Sequence, residues 1–205
     1  MVETIEIITF AEKLKVIDDP ETLYENYGAL VGDSFSDKAA PCFTQSCINE
    51  DTVRVLKKSS DDKKSVCALA FDIESGELLG NAQLQFEGME GNLSLDASVR
   101  HKCKPKECYL EQISVSGSAR GKGVGSKLLK WCDDMALNRG CTEITLEVLS
   151  TNTGAKSLYE RKGYQVDPST IPDGPIDGCI TRFIHCMLIC RFDYAVFMRK
   201  PLVNT

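Results

Sequence analysis

Regular spacing of apolar residues defines the first elements of the chain. Residues 1–10 alternate between apolar and polar side chains, which predicts a first strand. Between Pro20 and Ser34 apolar residues recur at helical spacing, after a proline and a glutamate that suit a helix start. These apolar residues are Leu23, Tyr27, Leu30 and Val31. A second helix is predicted over residues 50–58, and the proline-containing stretch 35–46 is predicted to be a loop.

Two β-rich runs follow these helices. Residues 66–73 and 77–86 are separated by a short turn sequence that ends in Gly76, which is the pattern of a β-hairpin. The next stretch, residues 88–107, is polar, rich in lysine and without a clear period. We expect it to be a long surface connection, and connections of this length are more often functional or mobile than inert.

The clearest pattern begins after Cys108. Residues 109–116 are predicted to form a strand, and the helix that starts at Val124 has apolar residues on one face and Gly140 at its end. Residues 144–148 alternate as the next strand. Strand, helix and strand in this order form a βαβ unit, so we expect the two strands to be parallel and joined by a right-handed crossover.

A further helix and a closing strand complete the predicted elements. Asn152 is placed to cap the helix and Gly163 to end it. Residues 167–178 contain three prolines and two glycines, which predicts a loop, and residues 193–202 are predicted to form the closing strand. The sequence has no internal repeat, so we expect the whole chain, residues 1–205, to be one domain.

Composition and charge narrow the classes of partner. The 205 residues are 42% hydrophobic, which suits a globular domain with a sizeable core. Lys and Arg number 24 against 30 Asp and Glu, and a formal net charge of −6 does not favour binding of nucleic acid. The N-terminus lacks the features of a signal peptide, and the apolar stretch from Phe183 to Phe192 is too short to span a membrane. We therefore expect a soluble, cytoplasmic protein with no membrane partner.

Ten cysteines raise the question of disulfides or a metal site. A chain of domain size without an export signal is expected to keep them as reduced thiols. Two groupings resemble metal ligands, namely His101 with Cys103 and Cys108, and His185 with Cys186 and Cys190. Neither has the paired C-x-x-C spacing of structural zinc sites, so no metal site is predicted.

A glycine-rich turn lies between the first strand and the helix of the βαβ unit. It has the sequence S-A-R-G-K-G-V-G-S and runs from Ser118 to Ser126. Unpaired amides and the dipole at a helix N-terminus form an anion site, and glycines let a diphosphate approach the backbone. Neither G-x-x-x-x-G-K-[ST] nor G-x-G-x-x-G fits these residues. The alternative is a tight turn that binds nothing, but such a turn needs one glycine, whereas this one has three beside Arg120 and Lys122.

The motif R-x-x-G-x-G that begins at Arg120 resembles the pyrophosphate loop of the GNAT family of N-acetyltransferases. Three further features follow the order found in that family. They are the strand that ends in Ile113-Ser-Val115, the pattern N-x-x-A-x-x-L-Y-x-x-x-G-Y from Asn152 to Tyr164, and the strand from Tyr194 to Lys200. The resemblance covers residues 108–200. It implies an α/β fold with a mixed, mainly antiparallel sheet, whose fourth and fifth strands are parallel, splayed apart at one end and flanked by helices.

The resemblance also implies acetyl-CoA as the cosubstrate. In this family the cofactor lies against a splayed strand, so backbone groups around Ser114, in Ile113 and Val115, are implied to bind the pantetheine arm. The pyrophosphate is implied to be held by Arg120, Gly121, Lys122, Gly123, Val124, Gly125 and Ser126. Asn152 occupies the family's position for a contact with the cofactor arm, and capping its own helix is an equally good role that is compatible with this contact.

Two residues resemble the proton-transfer groups of the family. Tyr159 matches the usual proton donor to the departing thiolate, although it shares a helix stripe with core residues and is alternatively a core side chain. Glu111 matches a strand glutamate of some members, including glucosamine-phosphate acetyltransferases, and is a candidate general base. The alternative for Glu111 is a solvated or salt-bridged carboxylate. Strict alternation places it on the side of Ile113 and Val115, so it reaches the cleft only if the strand bulges or splays.

The function implied by the resemblance is direct transfer of an acetyl group to the primary amine of a small molecule. Net acidity suits a cationic acceptor such as an arylalkylamine, a polyamine or an amino sugar. Acetylation of a protein N-terminus or lysine is one alternative, and a non-catalytic acyl-CoA-binding module is another. Segments 88–107 and 167–181 are expected to shape the acceptor pocket. Residues 180–192 are either a strand at a homodimer interface or part of the core.

Overall fold

The strands of the chain form one mixed sheet. The computed structural model describes residues 5–35, 53, 65–89, 101–170 and 195–202. In this part of the chain the sheet has seven strands in the order β1-β2-β3-β4-β5-β7-β6. They are β1 (Ile5–Thr9), β2 (Val66–Asp72), β3 (Leu78–Phe86), β4 (Glu107–Val115), β5 (Glu143–Leu149), β6 (Gln165–Val166) and β7 (Ala195–Pro201). The helices are α1 (Phe10–Leu14), α2 (Pro20–Phe35), α3 (Val124–Asn138) and α4 (Thr153–Arg161).

The β4/β5 pair is parallel, and its neighbours in the sheet are antiparallel. Helix α3 makes the crossover between β4 and β5, as expected for a βαβ unit. The two strands pair from Glu107 opposite Glu143 to Leu110 opposite Leu146, and the pairing stops there although both strands continue. The prediction of a splayed parallel pair in a mixed, mainly antiparallel sheet is therefore confirmed.

A β-bulge interrupts the pairing of β4 with β3. Gln83 pairs with Gln112 and the next residue, Leu84, pairs with Leu110, so Glu111 is the extra residue of β4. A bulge of this kind changes which face of the sheet the following residues point to. Because Glu111 is the extra residue, strict alternation does not hold through β4.

Two hydrophobic clusters cover the two faces of the sheet. One face packs against α3 and α4 and contains, among others, Ala68, Ala82, Leu110, Leu128, Ile144, Leu146 and Met198. The other packs against α1 and α2 and contains Phe10, Leu23, Tyr24, Tyr27, Val31, Cys67, Leu69 and Phe71. Strand β2 has the sequence VCALAFD and contributes alternate residues to both clusters. This continuous apolar run is what a strand buried on both faces requires.

Helix α1 is a departure from the predicted strand over residues 1–10. The strand ends at Thr9 and the helix begins at Phe10. The Thr9 hydroxyl accepts a hydrogen bond from the backbone N–H of Glu12 at 3.2 Å, and the Glu12 carboxylate accepts one from the Thr9 backbone at 3.1 Å. This is a capping box, whose T-x-x-E signature is visible in the sequence and explains why the chain turns into a helix there.

Most other predicted elements agree with the structure. The helix from Pro20, the hairpin and the helix that ends before Gly163 are present, whereas the two-residue strand β6 was not predicted. The prediction of a surface connection reaching Glu107 is wrong at its end, because Glu107 begins β4 and is 2% exposed. Apart from Val53, which is helical, the predicted helix 50–58 lies outside the described residues. So do the segment 180–192 and the second grouping of histidine and cysteines.

Candidate active site

The splay between β4 and β5 opens into a cleft of about 680 Å³. Its walls are the ends of both strands, the glycine-rich turn before α3, and one side of α4. The lining comprises Ser34, residues 110–115, Ala119, Arg120, Gly121, Gly123, Val124, Gly125, Ser126, residues 147–149, Asn152, Gly154, Ala155, Leu158, Tyr159 and Arg161. Every site residue predicted from the sequence lies in this lining except Lys122. The cleft is at the carboxyl ends of the parallel strands, where open α/β sheets bind their ligands.

The turn before α3 presents backbone amides to this cleft. Gly121 and Gly123 have φ angles of 79° and 88°, a left-handed conformation that glycine adopts without strain. Gly123 is the N-cap of α3, and the amide of Lys127 donates to its carbonyl at 3.0 Å. The amides of Val124, Gly125 and Ser126 precede this bond and so have no acceptor one helical turn earlier. Unpaired amides and the dipole at a helix N-terminus favour an anion, so the geometry of the turn is compatible with the anion site that the sequence predicts.

Gly125 serves a different purpose from the other two glycines of the motif. A Cβ at this position would lie 3.2 Å from Leu158 Cδ2 and 3.7 Å from Val115 Cγ2. The residue therefore lets α3 approach α4 and the end of β4 closely. The three glycines of the motif thus set the conformation of the turn at two positions and its close packing at the third.

Tyr159 faces the cleft from α4 and is also part of the core. It is 6% exposed and belongs to the cluster on the α3 side of the sheet. Burial raises the pKa of Tyr159, and the neighbouring Cys132 adds to this effect. Its ring lies 5.7 Å from that of Tyr164 at an angle of 59°. The core and cleft interpretations therefore both describe Tyr159, and its phenol stays protonated at neutral pH.

Glu111 lies on the α2 side of the sheet, on the face opposite to Ile113 and Val115. Both of those apolar residues pack in the cluster on the α3 side. Besides burial, the negative charge of Glu111 raises the pKa of Tyr27 and of Tyr109. The expectation that strict alternation holds is therefore corrected, and the bulge supplies the condition under which Glu111 reaches the cleft.

Comparison with models of protein families shows which family the chain belongs to. The model of the Acetyltransferase (GNAT) family matches residues 33–164, which is more than half of the chain. This protein belongs to the GNAT family. The cleft residues from Leu110 to Tyr159 all lie inside the matched range, so the geometry described above is that of the family domain.

Individual GNAT proteins match shorter segments. Thialysine N-epsilon-acetyltransferase of Bos taurus is 42% identical over 62 residues, which cover 30% of this chain and 36% of that protein. N-alpha-acetyltransferase 30 of Schizosaccharomyces pombe is 38% identical over 56 residues, which cover 27% of this chain and 37% of that protein. The matches span about a third of the length of these curated relatives.

A solved GNAT structure matches the fold over nearly the whole chain. The structure of PaiA N-acetyltransferase from Thermoplasma acidophilum in complex with coenzyme A superposes with a TM-score of 0.60. The match covers 97% of this chain and 99% of that one, at 17% sequence identity. At this identity the likeness establishes the shared fold.

The two basic residues of the glycine-rich turn, Arg120 and Lys122, lie in different positions relative to the cleft. Arg120 lines the cleft, and its Nε donates to the carbonyl of Val115 at 3.4 Å. Lys122 is exposed and lies outside the cleft lining. Hydrogen bonds from Ser75 lower the pKa of Asp72, and the charge of Lys122 adds a smaller contribution in the same direction. The structure therefore does not bring the Lys122 side chain to the site where the sequence analysis expected it.

Asn152 caps α4 at the edge of the cleft. Its Oδ1 accepts a hydrogen bond from the backbone N–H of Ala155 at 3.4 Å. This is the capping role that the sequence analysis gave as compatible with a cofactor contact. The side chain also lines the cleft, so both roles fit its position.

Sequence reasoning missed several polar residues of the cleft. Glu147 on β5 and Gln112 on β4 both line it, and neither was predicted. Ser114, which was predicted as a cofactor-binding residue, is 3% exposed, and its side-chain Oγ has no hydrogen-bond partner among the described residues. The only sequence signal for Glu147 is its polar character within an apolar strand, because its place opposite β4 depends on the register of the pair.

A second polar cluster surrounds Glu107, beside the cleft and on the α2 side of the sheet. Oε1 of the buried Glu107 lies 2.8 Å from His101 Nε2 and accepts a hydrogen bond from Thr145 Oγ1 at 2.6 Å. Its Oε2 accepts a third bond from the backbone N–H of Lys104 at 2.7 Å. The His101 ring stacks on Tyr109 with 4.3 Å between centroids. The cluster ties residues 101–106 to the sheet next to Glu111.

The described cysteines form no disulfide bonds with one another. Cys67, Cys103, Cys108, Cys132 and Cys141 are free thiols. Burial raises the pKa of Cys103 to about 12, so it stays protonated at neutral pH. In the part of the chain that the structure describes, no three His, Cys, Asp or Glu side chains come together as a metal site would require. None of the described helices has the length and apolar character needed to cross a bilayer.

Proposed function

We propose that this protein is an acetyl-CoA-dependent N-acetyltransferase that transfers the acetyl group directly to a primary amine of a small molecule. The observation that carries the proposal is the convergence of three features on one cleft. These are the amides at the N-terminus of α3, the unpaired edge of β4, and the two proton-transfer candidates Tyr159 and Glu111. Membership of the GNAT family supports this assignment.

The residues present fit the cosubstrate. The turn amides and Arg120 would hold the pyrophosphate, since a helix N-terminus and a guanidinium both favour a diphosphate. Beyond Leu110 the edge of β4 that faces β5 has no strand partner among the described residues, so we expect backbone groups of Ile113 and Val115 to be available to the amides of the pantetheine arm. Bound in this way, acetyl-CoA supplies the thioester that accepts the amine.

In the proposed reaction one side chain accepts a proton and another donates one. The acceptor amine is mostly protonated near neutral pH, and Glu111 removes a proton from it so that its nitrogen can attack the thioester carbonyl. A nitrogen–carbon bond forms, the carbon–sulfur bond breaks, and the departing thiolate takes the proton of the Tyr159 hydroxyl. The nitrogen of the new amide releases a second proton to solvent, and Tyr159 regains its proton from solvent. Burial raises the pKa of Tyr159, so the phenol is protonated at neutral pH when the thiolate develops.

A small amine and a peptide N-terminus are the two acceptors that the comparisons favour. The matched segment of thialysine N-epsilon-acetyltransferase supports a small amine, and that of N-alpha-acetyltransferase 30 supports a peptide. The acidic lining of the α2 side, provided by Glu111 and Glu147, supports a cationic small molecule.

Release of CoA thiol from acetyl-CoA tests the proposal directly. The purified protein is incubated with arylalkylamines, polyamines, amino-sugar phosphates and short peptides, with a protein-only blank because the chain has ten cysteines. Turnover with one class of small amine is the expected result. Turnover with peptides alone would favour the second candidate, and acetyl-CoA binding without any turnover would favour a non-catalytic module.

The role of Tyr159 is tested by a pair of matched variants. Tyr159→Phe should lower kcat at least about tenfold with little change in acetyl-CoA affinity, because only the proton donor is removed. Tyr164→Phe is the control, since Tyr164 is equally buried, contacts Tyr159 and lies outside the cleft lining. Equal rates for the two variants would contradict the assignment.

A further inference from the structure

A group of buried polar side chains lies between α2 and strands β3 and β4. Tyr27 on α2 is 1% exposed, and its hydroxyl accepts a hydrogen bond from Nδ2 of Asn81 on β3 at 3.0 Å. Asn81 pairs with Ser114 on β4, and paired residues share a face of the sheet, so the Ser114 side chain also lies on the α2 side. Gln112 precedes Ser114 by two residues and faces the same side. These four residues are called the Tyr27 cluster below.

Three buried atoms of the Tyr27 cluster have no hydrogen-bond partner among the described residues. They are Asn81 Oδ1, Ser114 Oγ and Gln112 Nε2. Asn81 and Ser114 are 0% and 3% exposed. The Gln112 amide approaches the Tyr27 hydroxyl and lowers its pKa against the larger, opposite effect of burial, but its Nε2 lies beyond hydrogen-bond distance of every described acceptor. Folded proteins leave few buried polar groups unpaired, so three in one place indicate a polar ligand.

The Tyr27 cluster adjoins the cleft through its two residues on β4. Gln112 and Ser114 both line the cleft, directly after Glu111. Burial raises the pKa of Tyr27, and the charge of Glu111 adds to this effect, so the carboxylate lies near the cluster. A molecule whose amine lies at Glu111 can therefore place a neighbouring group against Gln112 and Ser114.

The unpaired atoms match a neutral group that both donates and accepts hydrogen bonds. Asn81 Oδ1 only accepts, Gln112 Nε2 only donates, and Ser114 Oγ does either. An alkyl group would leave all three unpaired. A carboxylate has no donor for Asn81 and is repelled by the charge of Glu111, and an ammonium has no acceptor for Gln112. A hydroxyl or a carboxamide supplies both a donor and an acceptor.

We propose that the acceptor amine carries a hydroxyl or a carboxamide group and that Ser114 and Gln112 are specificity-determining residues that bind it. The inference rests on the proposed function, which places the reacting amine at Glu111. A site built to bind a substrate hydroxyl rejects the analogue that lacks it, because the polar groups of the site are then left unpaired. The proposal favours an amino sugar over a polyamine as the acceptor.

Isosteric amines test this proposal through the release of CoA thiol. Propanolamine and butylamine differ only in a hydroxyl in place of a methyl group, and glucosamine and cyclohexylamine form a second pair with the amine on a ring. β-Alaninamide and β-alanine present a carboxamide and a carboxylate. We expect the wild-type protein to favour the hydroxyl or carboxamide amines over the alkylamines and β-alanine by at least about tenfold in kcat/KM. The faster of propanolamine and β-alaninamide identifies which of the two groups is bound.

Variants on β4 separate recognition of the acceptor from a structural role. Ser114→Ala should raise KM for the preferred amine about tenfold and leave kcat/KM for the alkylamine unchanged, because only the preferred amine bonds to the hydroxyl. Gln112→Leu, which keeps the size of the side chain, should act in the same direction. Ser116→Ala is the control, since its Oγ lies 3.1 Å from Ser118 Oγ and the residue is outside the cleft lining. Calorimetry with acetyl-CoA and the thermal midpoint establish that the cofactor site and the fold are intact.

Four other results would each overturn the inference. Equal kcat/KM for the members of each isosteric pair would do so and leave the proposed function standing. An unaltered preference in both Ser114→Ala and Gln112→Leu would show that water alone occupies the Tyr27 cluster. Weaker acetyl-CoA binding by Ser114→Ala, with an equal loss for both amine types, would assign Ser114 to the cofactor. Binding of acetyl-CoA without turnover of any amine would overturn the proposed function together with the inference.

Discussion

Replacement of Glu107 by glutamine should destabilise the protein in a pH-dependent manner. The carboxylate is 2% exposed, and its oxygens accept hydrogen bonds from Lys104 N and Thr145 Oγ1 and lie within bonding distance of His101 Nε2. Glutamine keeps the shape but presents an NH₂ group where one of these donors now finds an oxygen. Glu107→Gln therefore removes the charge and leaves at least one buried donor without an acceptor.

The size of the effect follows from the pKa of Glu107. Burial alone would raise this pKa, but hydrogen bonds from His101, Lys104 and Thr145 outweigh burial and lower it from 4.5 to about 2. A difference of about 2.5 at 1.36 kcal/mol for each tenfold change gives about 3 kcal/mol of stabilisation at pH 7. Because the folded pKa is the lower one, this contribution is fully present above pH 4.5 and is lost as the pH falls from there towards 2.

Urea unfolding followed through the fluorescence of Trp131, the single tryptophan, measures this contribution. The free energy of unfolding is compared between wild type and Glu107→Gln at pH 7, 5, 4 and 3. Glu160→Gln on the exposed face of α4 is the control for loss of a carboxylate and should change stability by less than about 0.5 kcal/mol. We expect a difference of about 3 kcal/mol for Glu107→Gln at pH 7 that shrinks below pH 4.5. A difference below about 1 kcal/mol at pH 7, or one that is independent of pH, would refute the reasoning.

Two further predictions concern the cleft. Glu111→Gln should lower kcat/KM for the amine about 100-fold and remove the acidic limb of its pH profile, because a general base must be deprotonated to act; an unaltered profile would indicate a water relay. Gly123→Ala should cost about 1 kcal/mol in urea unfolding and weaken acetyl-CoA binding by calorimetry, since its φ of 88° strains a side chain. Gly154→Ala, which meets no atom within 4 Å at a position without positive φ, is the control and should not lose stability.

The sequence predicts those parts of the fold and site that depend on local patterns. The turn from Arg120 to Gly125 lies between a strand and an amphipathic helix, so its role as the N-terminus of α3 follows from neighbouring residues alone. Helix α4 is similarly defined by its cap at Asn152 and its end before Gly163. These signals span fewer than about 20 residues and need no knowledge of which strands pair.

The parts that the sequence analysis missed depend on contacts between distant segments. Glu147 becomes a cleft residue only because β5 lies beside β4 and their pairing stops at Leu146, directly before it. Glu107 was predicted to lie on the surface because it ends the polar, aperiodic stretch 88–107. Burial of its charge is costly, and three hydrogen-bonding groups from residues 101, 104 and 145 overcome that cost. Such compensation is invisible before the strands are paired.

The bulge at Glu111 explains how β4 places apolar side chains on one side of the cleft and polar side chains on the other. Cys108 and Leu110 pack in the cluster on the α3 side, and so do Ile113 and Val115, although the two pairs differ in parity along the strand. In a strand with regular alternation one of these two pairs would face α2. That pair would then lose its burial in the cluster on the α3 side. The adjacent polar residues Glu111 and Gln112 absorb the change of parity, so the bulge is encoded in the hydrophobic pattern itself. Burial of the apolar pairs on the α3 side thus leaves the Glu111 carboxylate on the α2 side of the sheet.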